Sequence, residues 1–114
     1  MTNKAIVLWA AEVLGITDWE FSVETSVRPP KWSNDEPEAF GRADMDSSKK
    51  EAKIWVRKGE PDEDETLLHE ILHVALCDAG LHTESGPGEH LINRLAAIML
   101  KAMPKTPAKV KKCR

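Results

Sequence analysis

Apolar positions recur along this chain in two rhythms. A helical stretch opens it, with a first helix expected over Asn3–Leu14. Thr2 or Asn3 can cap that helix and Gly15 stops it. Residues 19–27 then switch to a period of two. Trp19, Phe21, Val23 and Val27 alternate with Glu20, Ser22, Glu24 and Ser26, the pattern of a strand with one buried face. Pro29, Pro30 and Pro37 mark residues 28–38 as an irregular loop. A weaker strand is expected over residues 39–46, a turn at Asp46-Ser47-Ser48-Lys49, and a stronger strand over residues 52–57 around Ile54-Trp55-Val56.

After Gly59 and Pro61 the helical period returns. Asp62 and Glu65 have the spacing of a capping box, and the acids of that first turn suit the positive end of a helix dipole. Leu67, Leu68, Ile71, Leu72, Val74, Ala75 and Leu76 make this helix apolar around most of its circumference, so it should be central and buried before ending near Gly80. A loop with Gly86, Pro87 and Gly88 leads to a last helix over residues 89–103, whose expected core stripe is Leu91, Ile92, Leu95, Ile98 and Met99. The order is helix, three strands, helix, helix: an α+β domain over residues 1–104 with a small three-stranded sheet, at least partly antiparallel. Residues 105–114 follow Pro104 as a basic, disordered tail.

Composition narrows the class. The 114 residues suit one domain. No run of eighteen apolar residues offers a transmembrane helix. Cys77 and Cys113 do not form a disulfide framework, and Glu12 interrupts the apolar N-terminal stretch too early for a signal peptide, so a cytoplasmic protein is expected. Six of the sixteen basic residues lie from Lys101 onward with no acid among them, leaving ten basic against nineteen acidic residues in residues 1–100. An acidic body argues against nucleic-acid binding. The basic tail reads as a solvated end, with nucleic-acid contact or docking on the acidic body as alternatives.

The chemistry lies in His69-Glu70-Ile71-Leu72-His73. Histidines four apart project from one helix face, one turn above the other, and can grip one metal ion. Imidazole nitrogen suits zinc, and a site with three protein ligands keeps a fourth position for water. Glu70, beside the metal but turned from the ligand pair, sits where a general base for that water belongs. Two histidines and a glutamate would be costly on an otherwise apolar helix without such a partner.

This stretch resembles the zincin metallopeptidases, whose signature is the same five-residue motif. The metzincin type would need glycine at position 76 and histidine at 79; Leu76 and Ala79 exclude it. Glu89-His90-Leu91-Ile92-Asn93 is similar to the second motif of the gluzincins, and the element order resembles the minimal gluzincins found among short phage and prophage peptidase-like proteins. The resemblance implies that Zn2+ is bound by His69, His73 and Glu89. Helix periodicity also favours Glu89 over His90: Glu89 shares a face with Ile92, Asn93 and Ala96, whereas His90 shares one with Arg94, Ala97 and Lys101. Asn93 can then support a ligand as its outer neighbour. Many gluzincins steady the oxyanion with a tyrosine or histidine. This chain has no tyrosine, so His82, His90 and Arg94 are the candidates.

The expectation is a zinc metallopeptidase, in which Glu70 activates water for attack on a peptide carbonyl and passes the proton to the leaving amine. Its partner would be a peptide or protein substrate, held by strand addition to an exposed sheet edge, expected around residues 54–57. The rival is a non-catalytic binding or regulatory module stabilised by zinc, which a fourth protein ligand such as Cys77 or His90 would favour. The four tryptophans read as core or loop anchors.

Overall fold

The computed structural model describes residues 1–33, 39–81 and 87–104. The basic tail and His82 lie outside the described residues, as does Cys113. The elements are α1 (Asn3–Leu14), β1 (Glu20–Ser26), β2 (Gly41–Asp46), β3 (Glu51–Arg57), α2 (Glu63–Asp78) and α3 (Pro87–Ala102), a small α+β domain. Among the described residues no helix is long and apolar enough to cross a membrane.

Local chemistry sets the ends of α1 as the sequence leads one to expect. Thr2 Oγ1 accepts from Ala5 N–H at 3.1 Å, and Gly15 takes the left-handed φ of +74° that ends the helix. At α2 the expected capping box does not form. Asp62 makes no side-chain cap bond, because its backbone (φ −109°, ψ 32°) lies outside the extended region from which a cap side chain reaches back. Glu63 instead accepts from Gly59 N–H at 2.9 Å.

The sheet order is β1-β3-β2, with β1 parallel and β2 antiparallel to β3. β3 is therefore the middle strand. The edge expected at residues 54–57 is filled on both sides, and among the described residues the open edges belong to β1 and β2. The reason lies in β3 itself. Ala52, Ile54 and Val56 are buried on the inner face, and Trp55, on the outer face, is also completely buried. A strand covered on both faces belongs inside a sheet.

α1 and α2 pack on the inner face, and α3 packs against α2. α2 is central as expected, with Leu67, Leu68, Ile71, Leu72 and Val74 buried. Trp19 Nε1 donates to Asp78 Oδ1 at 3.1 Å and ties the start of β1 to the end of α2. The stripe that α3 buries is Ile92, Ala96 and Met99, with Leu95 half-buried. Leu91 and Ile98, expected in the core, are 52% and 59% exposed. Each sits one position, about 100° of helical turn, away from a residue on the real seam.

On the outer face Trp55 is met by Ser26 at the end of β1 and by Arg57 of β3. Trp55 Nε1 donates to Ser26 Oγ at 2.9 Å, and the Arg57 guanidinium lies 5.3 Å from the Trp55 ring centre. Arg57 also donates to Ala39 O at 2.7 Å and to Val27 O, so one side chain holds both ends of the stretch between β1 and β2. Trp32 Nε1 donates to Glu24 Oε1, and Ser33 is buried with its hydroxyl on Pro30 O. The turn from β2 to β3 forms where expected. Asp46 Oδ1 accepts from the Ser48 hydroxyl (2.6 Å) and from the Ser48 and Lys49 amides. These bonds, the Ser48 hydroxyl first, hold the Asp46 carboxyl below the usual aspartate value.

Candidate metal centre

α2 carries His69 and His73 on one side, one turn apart, and α3 brings Glu89 across from its first turn. The three functional atoms meet closely. Glu89 Oε1 lies 2.9 Å from His69 Nε2, Glu89 Oε2 lies 3.2 Å from His73 Nε2, and the two Nε2 atoms are 3.2 Å apart. The imidazoles stand edge to face, 67° between planes, so both nitrogens point into one space rather than stacking. Both histidine side chains are mostly buried, and Glu89 is about one-third exposed.

This donor set fits a divalent cation. Zinc bonds of about 2.0–2.1 Å in a tetrahedron place ligand atoms roughly 3.3 Å apart, close to the three separations here. Proton bookkeeping points the same way. Each Nε2 faces both the other imidazole and a carboxylate oxygen, and one N–H cannot serve two acceptors on different sides. Glu89 Oε2 is buried and makes no hydrogen bond, a cost that a cation would remove. Among the described residues His69, His73 and Glu89 form the group able to hold a metal ion. Three protein ligands would leave a tetrahedral cation one open position.

The other expected residues are distributed as follows. Glu70 is 8% exposed and lines the same groove as the histidines. Asn93 and Ala96 line it from α3. His90 and Arg94 are exposed and do not contribute to the groove wall. Cys77 is half-buried in the wall, one turn beyond His73, but its sulfur is 3.7 Å from Ser47 Oγ and it is not part of the metal-holding group.

The groove itself, 860 Å³, runs between α2 and β2. Its strand wall, residues 39–45, holds none of the site residues expected from the sequence. The signal available there was Gly41 at the start of a short alternating segment. Arg57 N–H donates to Phe40 O at 2.8 Å, so Phe40 and Arg57 form a hydrogen-bonded pair of the antiparallel ladder. Pairs alternate along such a ladder, so Gly41, Ala43 and Met45, opposite Val56, Ile54 and Ala52, are non-hydrogen-bonded with respect to β3. Their N–H and C=O groups point to the open edge. Gly41 is also where the strand comes closest to the helix: a Cβ there would lie 2.7 Å from Thr66 Cγ2 and 3.2 Å from Glu70 Oε2.

Comparison with protein-family models, with curated proteins and with solved structures finds no match to the chain.

Proposed function

We propose that this protein is a zinc-dependent peptidase of the zincin type, with His69, His73 and Glu89 as metal ligands and Glu70 as general base. The observation that carries the reading is the convergence of the Glu89 carboxylate on both imidazoles, 2.9 and 3.2 Å away, beside a buried glutamate that is not one of the three.

A zinc ion held by these ligands would supply Lewis acidity, acidifying a water at its open position and polarising a carbonyl. The chain's own residues do the rest. Glu70, buried against the strand wall, takes the proton of the attacking water and hands it to the leaving amine. Its burial keeps solvent from competing for that proton. Gly41, Ala43 and Met45 offer outward backbone groups on which an extended peptide can lie by strand addition, so β2 rather than residues 54–57 is the docking edge. A substrate of this class needs no deep pocket, in keeping with a groove open along its length.

The test is zinc content by elemental analysis together with cleavage of a broad peptide library. One zinc per chain and metal-dependent cleavage are expected. Zinc bound without any cleavage would favour a zinc-stabilised binding module, and no zinc bound would refute the centre itself.

A further inference from the structure

We infer that Gly41 is a positioning residue for the Glu70 carboxylate, an inference that rests on the peptidase reading. Gly41 belongs to an edge strand and does not have the left-handed φ that Gly15, Gly59 and Gly80 adopt. Backbone conformation therefore does not call for glycine there. Glycine inside a strand weakens it and commonly marks a place where something must approach closely. At Gly41 the approaching groups are Thr66 and Glu70, one helical turn apart on α2. A Cβ would stand 2.7 Å from the Thr66 methyl and 3.2 Å from Glu70 Oε2, with the Trp55 carbonyl 3.2 Å behind it. The strand carbonyl cannot yield without breaking the ladder, so any relief must come from α2.

Two displacements would give that relief. Either the helix backs away from the strand, widening the groove, or the Glu70 side chain swings off the strand. Both separate the base carboxylate from the edge on which the substrate backbone lies. His69 and His73 belong to the same stripe of α2 as Thr66 and Glu70, but they reach toward Glu89 on α3 and are not among the groups nearest a Gly41 Cβ, so the ligand contacts need not move. The bare inner face of Gly41 thus sets the spacing between base and substrate while leaving metal binding alone.

The experiment combines Gly41→Ala with Thr66→Ser, which removes the methyl met at 2.7 Å and leaves the contact with Glu70. Zinc content, melting temperature, and kcat and KM on a peptide that the wild type cuts are measured. The same pair of changes is then added to Glu70→Gln and to Glu70→Ala. Full zinc is expected, with kcat lower by on the order of ten- to a hundredfold, as sub-ångström to ångström misplacement of a catalytic group gives. KM should stay within about twofold of its value in Thr66→Ser alone. Added to Glu70→Gln, Gly41→Ala should cause no further loss of kcat, because both act through one group. Without any turnover, the melting-temperature loss from Gly41→Ala should shrink in the Glu70→Ala background, where the carboxylate is gone. Undiminished kcat, a loss that multiplies on Glu70→Gln, a loss of zinc, or a melting-temperature effect blind to Glu70 would each overturn the inference. A zinc-loaded wild type that cuts no peptide overturns the peptidase reading and this inference with it, an outcome distinct from wild-type kcat in the Gly41 variant.

Discussion

Glu89 Oε1 lies 2.9 Å from His69 Nε2, which fastens the first turn of α3 to the middle of α2 through functional atoms rather than through packing. With metal in place the same seam becomes a cross-link between two helices. Zinc should therefore stabilise the fold as well as complete the site. At a free zinc concentration about 1,000 times Kd the gain is about 4 kcal/mol. For a domain of this size a chelator should then lower the melting temperature by more than about 10 °C. Glu89→Ala should bind zinc weakly and lose most of that sensitivity, whereas His90→Ala, changed at an exposed position, should keep both. Elemental analysis and thermal melts with and without chelator decide it. The reverse ranking would move the third ligand to His90.

Glu70→Gln should keep zinc and fold and lose hydrolysis. The amide has nearly the shape of the carboxylate but cannot take a proton. Loss of a general base costs about 10² to 10⁴ in rate. Wild-type turnover in this variant, with zinc content verified, would remove Glu70 from the reaction.

Ala43→Pro separates the proposed docking edge from the fold. The Ala43 N–H points away from β3, so proline there removes no ladder bond, and prolines are accommodated on edge strands. A substrate lying on β2 would lose one backbone hydrogen bond, worth about 0.5–1.5 kcal/mol, or a several-fold rise in KM. Steady-state kinetics beside a melting curve provide the check. An unchanged KM in a well-folded variant would place the substrate elsewhere.

Trp55 tests what holds the strand wall in place. Trp55→Ala should cost about 3–5 kcal/mol, the usual penalty for emptying a large buried site. Trp55→Phe keeps most of the volume and should cost only about 1–2 kcal/mol, chiefly the hydrogen bond to Ser26 Oγ. Urea unfolding measures both. Equal losses would mean that the ring's volume, which covers the outer face, is not what matters.

Much of the candidate site was legible because it is local. His69, Glu70 and His73 occupy little more than one helical turn, so spacing alone states their relation. Glu89 follows from the resemblance of residues 89–93 to the second gluzincin motif, and periodicity favours it over His90: on its face Ile92 and Ala96 are buried though Asn93 is exposed, while Arg94 and Lys101, on the face of His90, are exposed. What lay beyond reach was lateral. Alternation in residues 39–46 tells which side chains share a face, not which strand is the neighbour. The Ile54-Trp55-Val56 run does carry that information, since apolar residues on both faces mark a middle strand rather than the expected edge. The failed capping box depends on the Asp62 backbone angles, which residue type does not determine. Leu91 and Ile98 were misplaced because apolar residues flank the α3 seam on both sides, and composition does not say where α2 will lie.

The mixed sheet has a consequence for how the chain acquires its shape. Asp46 pairs with Glu51 across the turn of residues 47–50, whereas the parallel partner of Glu51 is Glu20, on the far side of that hairpin. The β2–β3 hairpin closes a short loop and forms on the microsecond scale typical of such units. β1 must find β3 across a much longer stretch of chain, and the entropy of that closure is met before any contact repays it. Folding is therefore expected to run from the side of the candidate metal centre outward: the strand that flanks Glu70 gains its partner early, and the pairing of β1 with β3 comes late.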